Sequence, residues 1–395
     1  MWRPVHELLL RPPLEQFGST GKAPHLNFGV LEIWIEQLKA GRPLEERDAR
    51  QSVELLADEF ISVELKAAFL SALAQKGETP EEIAAFARAL RDKGIELPLD
   101  PETRSREILD VVGTGGDRLG TFNISTAAAI LCAAAGVTVA KHGNRAVTSR
   151  AGSADVLEAL GVPTHLTPGE AARSLRERRF AFFFAPDYHP AFKHIAPARK
   201  LCAERSHRTI FNLLGPLLNP ARPSAMLVGV PRPEFCEPIA RVLKILGIRR
   251  AMVVCGKVAG VGFLDELSPL GENTIAEFYQ ERALAVSTAT PEQLHLPSAT
   301  LADLLGGDRT VNARIIRDIF SGEERGPKRE AVLLNAAAAL FVAGRTKSIA
   351  EGSELANEIV DGGKAAAKLA ELANRVYSSS SAVSSAGAAP SSSEA

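Results

Sequence analysis

Between Gly29 and Ile95 the apolar residues recur every three or four positions, the spacing of helices with one buried face. The segments are LEIWIEQLKAG, EERDARQSVELLADEF, SVELKAAFLSALAQKG and TPEEIAAFARALRDKG. Gly41 is a natural stop for the first, while Thr79 and Pro80 form a cap and first turn for the last. Several short helices in succession predict a small helical domain. After PLDPETRSRE the period changes. ILDVVG, VTVA, FAFFFA, AMLVGV and RRAMVVCG are short, nearly continuous apolar runs. They alternate with the helical patterns ISTAAAILCAAAG, ADVLEALG and EPIARVLKILG. Strands apolar on both faces, separated by helices, predict an α/β fold with a mainly parallel central sheet covered on both faces. Beyond Gly306 the pattern is mainly helical, as in KREAVLLNAAAALFVAG. Two flanks stand apart. Residues 1–28 carry Pro and Gly and read as an extension, and residues 376–395 are a low-complexity Ser/Ala tail expected to be disordered.

The length of 395 residues, 46% hydrophobic, suffices for two domains and a large core. A net charge of −1 argues against nucleic acid or an acidic membrane surface as partner, since both call for a basic excess. The four cysteines are scattered without a CxxC pair, which predicts reduced core thiols and not a disulfide or thiolate–zinc framework. No run of about eighteen apolar residues predicts a membrane span, and the N-terminus lacks a signal-peptide core, so a cytoplasmic protein is expected.

Candidate chemistry gathers in loops. In DVVGTGGDRLGTFNIST a strand ends in glycines and a helix follows. Gly113, Gly115 and Gly116 permit a sharp turn and close backbone approach, and the amides there with the helix N-terminus suit an anion. Asn123, Ser125 and Thr126 add neutral polar groups that can cap the helix or bind phosphate. The spacing is neither a Walker loop nor a dinucleotide-binding fingerprint. Asp117 disfavours a bare phosphate unless it makes only a backbone contact or a cation intervenes.

The second loop, KHGNRAVTSRAGSAD, also follows a strand. Lys141 supplies a point charge, Arg145 and Arg150 forked donors, Asn144 a donor and acceptor, and Ser149 and Ser153 hydroxyls. Gly143 and Gly152 permit close approach. Ligands of open α/β sheets sit beyond the carboxyl ends of strands, where both loops fall. In VGFLDELSPLGENT the adjacent Asp265 and Glu266 point apart on any regular element, but on a loop they can hold one or two hard cations, magnesium above all. His189 and Arg199 flank AFKHIAPA, with Pro190 predicted to open a helix that carries Arg199, whose fork suits a substrate carboxylate. The other histidines show no metal-ligand spacing.

Five stretches in order, VVGTGGDRLGTFNIST, VAKHGNRAVTSRAGSADVLEALG, YHPAFKHIAPARK, RTIFNLLGPLLNPA and LDELSPLG, resemble the anthranilate phosphoribosyltransferases, over roughly Leu31 to Ala373. The resemblance implies the nucleoside-phosphorylase-like arrangement: a helical domain (29–100, completed by helices within 188–215) on a larger α/β domain (101–375), with a homodimer formed through the helical domain. It implies phosphoribosyl pyrophosphate and anthranilate as substrates, with two magnesium ions. The sugar pyrophosphate would be held by Gly113, Gly116, Asp117, Thr121, Asn123, Ile124, Ser125 and Thr126. The second loop would add Lys141, His142, Gly143, Asn144, Arg145, Ala146, Val147, Thr148, Ser149 and Ser153. Gly113, Asn144 and Arg199 would meet anthranilate; Ser125, Asp265 and Glu266 would hold metal; Lys141, Asp265 and Glu266 would support the transition state without a covalent nucleophile. Two segments are longer than the family pattern: LCAERSH, before Arg208, and GKVAGVGFLDE, which also lacks a Gly directly before Leu264.

Two alternatives share the architecture: a pyrimidine-nucleoside phosphorylase-like enzyme and a non-catalytic relative that binds nucleic acid. The GTGGD and KHGN forms with the Asp-Glu pair favour the transferase over the former. The near-neutral charge and intact loops disfavour the latter.

Overall fold

A computed structural model describes residues 28–146, 150–280, 282–294 and 296–374. The expectations for the N-terminal extension, for Val147, Thr148 and Ser149 and for the Ser/Ala tail lie outside the described residues. The chain opens with α1 (Phe28–Lys39), α2 (Glu46–Ala57), α3 (Val63–Lys76) and α4 (Pro80–Asp92), then a short α5 (Pro101–Ser105). The alternating part runs β1 (Ile108–Gly113), α6 (Ile124–Ala134), β2 (Thr138–Gly143), α7 (Ser153–Leu160), α8 (Pro168–Arg178), β3 (Phe180–Phe184), α9 (Ala185–Tyr188), α10 (Phe192–Glu204) and α11 (Phe211–Leu214). It continues with β4 (Ala225–Gly229), α12 (Cys236–Ile245), β5 (Arg250–Val258), β6 (Gly262–Leu264), β7 (Asn273–Tyr279) and β8 (Ala285–Ala289). It closes with α13 (Leu301–Leu304), α14 (Arg309–Ser321), α15 (Pro327–Val342), α16 (Ile349–Asp361) and α17 (Lys364–Ala373).

The sheet order is β3-β2-β1-β4-β5-β7-β8, with β6 pairing β5. Strands β1 to β5 are mutually parallel, whereas β6, β7 and β8 join antiparallel. The mainly parallel sheet of the sequence reading is therefore present, with an antiparallel margin. Alternate strand residues face two cores. Leu109, Val111, Val139, Leu227, Met252 and Val254 pack with α6, α7 and α14 to α17. On the opposite face Met226, Val228, Ala251, Val253 and Phe278 pack with α12 and with the bundle of α1 to α4, which α10 and α11 enter. That division explains the continuous apolar strands: each residue has a core to face.

From β1 the chain builds β2 and β3 on one side and then crosses to β4 and β5 on the other. The boundary between β1 and β4 is thus the switch point of the sheet, where a crevice opens beyond the carboxyl ends of the strands.

Two local expectations are refined. The helix that carries Arg199 begins at Phe192, not at Pro190, and His189 ends α9 by donating its N–H to the Ala185 carbonyl at 3.1 Å. Pro190 instead accepts from the Lys193 amide in the turn between the helices. The two lengthened segments are absorbed locally. Much of LCAERSH lies in the last turns of α10, and GKVAGVGFLDE forms the β5–β6 hairpin, with Gly260 at φ +71° in its turn.

Candidate active site

The crevice is built on two glycines. Gly113 ends β1 and Gly229 ends β4, in register with one another. Asp265 lies across both. A Cβ on Gly229 would stand 1.5 Å from the Asp265 carbonyl oxygen, and one on Gly113 would stand 2.3 Å from its Oδ2. Absence of side chains at both strand ends is what lets the acidic doublet reach the first glycine loop. That loop turns on left-handed residues: Gly115 (φ +74°), Gly116 (+91°), Arg118 (+60°) and Gly120 (+72°). The Gly115 amide donates to Asp265 Oδ2 at 2.7 Å, and the Ser125 amide, in the first turn of α6, donates to Glu266 Oε1 at 3.2 Å. The sequence thus places two distant segments, and the fold joins them by hydrogen bonds between main chain and carboxylate.

Anchors hold the rest of the loop. Thr121 bridges to Leu305, the Phe122 amide donates to the Leu304 carbonyl at 3.2 Å, and Ile124 is fully buried. Asn123 does not cap α6 with its side chain. Its Nδ2 donates to the Ala151 carbonyl at 3.1 Å, and its Oδ1 accepts from Asn312 Nδ2 at 2.9 Å, so it ties the first loop to the second and to α14. Thr126 Oγ1 is buried with no partner.

The Asp117 charge acts on Asp265, and Asp265 on Glu266. Burial above all, then the Asp117 charge, raises the Asp265 pKa; burial, then Asp265, raises that of Glu266. Glu266 Oε2 is buried without a hydrogen-bond partner. Oxygen ligands under mutual repulsion, one orphaned, are the donor set a hard divalent cation satisfies, and with Ser125 beside them they fit magnesium. Among the described residues no group of three or more His, Cys, Asp or Glu side chains forms a ready cage. Lys141 is nearly fully buried, and its Nζ donates to the Val111 carbonyl at 2.7 Å and to Ser125 Oγ at 3.4 Å. Burial lowers its pKa while Asp110 and Glu266 oppose the shift, and its two contacts turn it into the crevice floor, not outward as an open clamp. Asn335 escaped the sequence reading. It accepts the Leu267 amide at 3.1 Å and donates to the Leu267 carbonyl at 2.9 Å, fixing the residue after the doublet. A lone Asn inside KREAVLLNAAAALFVAG was the available signal.

In the second loop Ser153 Oγ donates to the Asn144 carbonyl at 3.4 Å, and a Cβ on Gly143 would lie 2.2 Å from that Oγ. Asp155, also missed, accepts the Ala146 and Gly152 amides at 3.0 and 2.9 Å and closes the loop onto α7. Arg145 is engaged by Asp155 at 3.0 Å and by Glu158 at 2.6 Å, so its fork faces α7. Arg150 is exposed.

Toward the helical domain, the Arg199 guanidinium stands over the Phe211 ring at 5.2 Å and the Phe192 ring at 6.0 Å. Burial lowers its pKa, and among the described residues no hydrogen bond or ion pair to it is found. A half-buried, aromatic-framed guanidinium without an acid is prepared for an anionic, planar group. His142 Nδ1 is 3.1 Å from the Gly215 carbonyl, and its ring meets His189 edge-on at 5.3 Å. Burial holds both below the usual imidazole range, His142 at about 3 and His189 at about 4, so both are neutral near pH 7.

A helical bundle on an α/β sheet, with glycine loops and a carboxylate doublet at the switch point, defines a two-domain glycosyl transferase. Residues 33–94 match the helical bundle domain of the glycosyl transferase family and residues 105–366 its a/b domain. The anthranilate phosphoribosyltransferase of Petrotoga mobilis is 44% identical over 343 residues, covering 87% of this chain and 96% of the relative. That of Moorella thermoacetica is 46% identical over 341 residues, covering 86% and 96%. The crystal structure of the Thermus thermophilus enzyme superposes with a TM-score of 0.78 at 43% identity, covering 86% of this chain and 98% of that one. The Saccharomyces cerevisiae enzyme in complex with PRPP and Mg gives 0.77 at 26% identity, covering 88% and 98%. The chain belongs to the anthranilate phosphoribosyltransferase family.

Proposed function

We propose that the β1/β4 crevice transfers the phosphoribosyl group of phosphoribosyl pyrophosphate to the amine of anthranilate, giving N-(5-phosphoribosyl)anthranilate and pyrophosphate. The observation that carries this reading is the convergence of Gly113–Gly116, Ser125 and the Asp265–Glu266 doublet on one spot. The N–C bond forms at the anomeric carbon as the C–O bond to pyrophosphate breaks, and the amine then loses a proton to solvent. An aromatic amine is uncharged near pH 7, so no strong base is required. The difficulty is the charge that develops on the leaving group.

The turn at Gly113–Asp117 and the start of α6 supply oriented amides toward that charge. Asp265, Glu266 and Ser125 would hold two magnesium ions, which when bound neutralise the pyrophosphate. Lys141 places its Nζ 3.4 Å from Ser125 Oγ, a donor beside the acidic floor. Asn144 and Ser153 frame the phosphoribosyl side, and Arg199 orients the anthranilate carboxylate against the ring pair. Alignment of the amine with the carbon then supplies much of the rate. Loss of anthranilate fluorescence that requires both the sugar pyrophosphate and magnesium is the test. Fluorescence that persists with both present, or phosphate-dependent cleavage of thymidine in its place, overturns the reading.

We further propose a homodimer formed through the helical domain. Ile33 (66% exposed) and Phe60 (78% exposed) support it, because they place apolar surface on that domain. Ile33→Glu with Phe60→Glu should halve the mass measured by light scattering, and an unchanged mass refutes the interface.

A further inference from the structure

Beside the first glycine loop lies a cavity of about 340 Å³. Gly116, Asp117 and Arg118 of the loop, Arg208 from the segment after α10, Arg232 beyond β4 and Phe263 of β6 line it. Three arginines face a single acid. Among the described residues Arg118 and Arg208 have no hydrogen bond or ion pair. Arg232 meets only the exposed Glu234 at 3.5 Å, a contact of little weight in water. Asp117 Oδ1 already accepts the Leu119 amide at 3.4 Å. The cavity wall is therefore cationic and its charge unspent.

Two further observations point the same way. Arg118 holds φ +60° in a loop whose neighbours at such angles, Gly115, Gly116 and Gly120, are all glycine. That backbone region disfavours any residue with a Cβ, so a fourth glycine would be the relaxed choice, and the arginine keeps its strain at the rim of a cavity. One segment that exceeds the family pattern lines it and the other borders it: Phe263 lies within GKVAGVGFLDE, and Arg208 directly follows LCAERSH. Arg208 Nη2 approaches to 3.4 Å from where a Cβ on Gly116 would be, so its fork rests against the turn itself.

We propose that this cavity is a second anion subsite, for a diphosphate, which takes up the pyrophosphate after it leaves the adjoining glycine turn. The identity of the ligand rests on the reaction proposed above; the existence of an anion site in the cavity does not. Forked guanidiniums are suited to phosphate oxygens, and a contiguous cationic wall gives the leaving group a path away from the acidic doublet.

Titration calorimetry of the full chain with inorganic pyrophosphate, in magnesium and low salt, tests it. Two binding events per chain are expected. Arg208→Ala and Arg118→Gly should each weaken one event about tenfold or more and spare the other. The thermal midpoint of Arg118→Gly should equal or exceed that of the parent, because glycine relaxes the turn; if that variant unfolds, Arg208→Ala decides. One event per chain in the parent, or two unaltered events in the variants, overturns the subsite. A parent protein that binds two pyrophosphates yet consumes no anthranilate overturns the proposed reaction and leaves the subsite standing.

Discussion

The carbonyl oxygen of Asp265 lies 1.5 Å from the point that a Cβ on Gly229 would occupy. The doublet loop therefore rests directly on the backbone end of β4, and its position is set by the absence of a side chain. Gly229→Ala must push the Asp265 main chain away, which should cost about 1–3 kcal/mol and reduce turnover at least about tenfold. Gly113→Ala meets the movable carboxylate first, at 2.3 Å, so it should lower turnover with less loss of thermal midpoint. Thermal melts beside steady-state kinetics check both, and parental kinetics in Gly229→Ala would sink the close-approach argument.

Asp265→Asn combined with Glu266→Gln removes two buried carboxylates whose pKa values are raised, that of Asp265 by burial and then Asp117, that of Glu266 by burial and then Asp265. The metal-free variant should melt at or above the parent temperature. Its turnover should fall by about a hundredfold or more and lose its dependence on magnesium concentration. Unchanged rates across a magnesium titration refute the metal assignment.

Arg199→Ala deletes the guanidinium framed by Phe192 and Phe211. The KM for anthranilate should rise about tenfold or more, as for a lost charge-assisted hydrogen bond, while the KM for phosphoribosyl pyrophosphate moves less. Arg199→Lys should not restore it, because an ammonium reproduces neither the fork nor the ring contact. The opposite order of the two constants contradicts the role.

Asn335→Ala leaves the Leu267 amide and carbonyl without their partner in a buried region. A loss of about 2–4 kcal/mol is expected for two stranded backbone groups, together with a higher magnesium requirement from a looser doublet. Denaturant titration and metal titration measure the pair. Weaker stability with an unchanged magnesium requirement confines Asn335 to packing.

The buried imidazoles make stability depend on acid. His189 falls from 6.5 to about 4 on folding, mainly through burial, and His142 to about 3. The unfolded chain therefore binds more protons in this range. The contribution is complete above about pH 6.5 and is lost as pH drops through about 4, worth roughly 3 kcal/mol for His189 over about 2.5 units. Asp110, raised to about 6 chiefly by burial, acts with the opposite sign. Comparing the parent with His189→Asn cancels it. The variant should show a shallower fall in melting temperature between pH 6.5 and 4, and parallel curves would contradict the assignment.

Hydrophobic period alone laid out most of the secondary structure, because parallel strands buried on both faces must be continuously apolar and bundle helices must carry a stripe. The antiparallel margin was less legible. β8, Ala285–Ala289, is exposed along most of its length and gives no core-facing run to detect. The helix start at Phe192 was misplaced because Pro190 suits a first helical turn equally well as it suits the turn before one. Among site residues, Gly113, Ser125, Asp265 and Glu266 carried visible signals, whereas Gly229, Asn335 and Asp155 act only through contacts with segments far away or across a turn.

The chain by itself determined its elements, its two glycine loops and the residue types available for anionic chemistry, since period, turn residues and charge are local properties of order. Tertiary structure decided which of them meet. Lys141 turned inward under Ser125, Arg145 turned to Asp155 and Glu158, and Asp265 settled over two strand ends. Those outcomes depend on burial and on through-space charge, which no spacing along a sequence encodes.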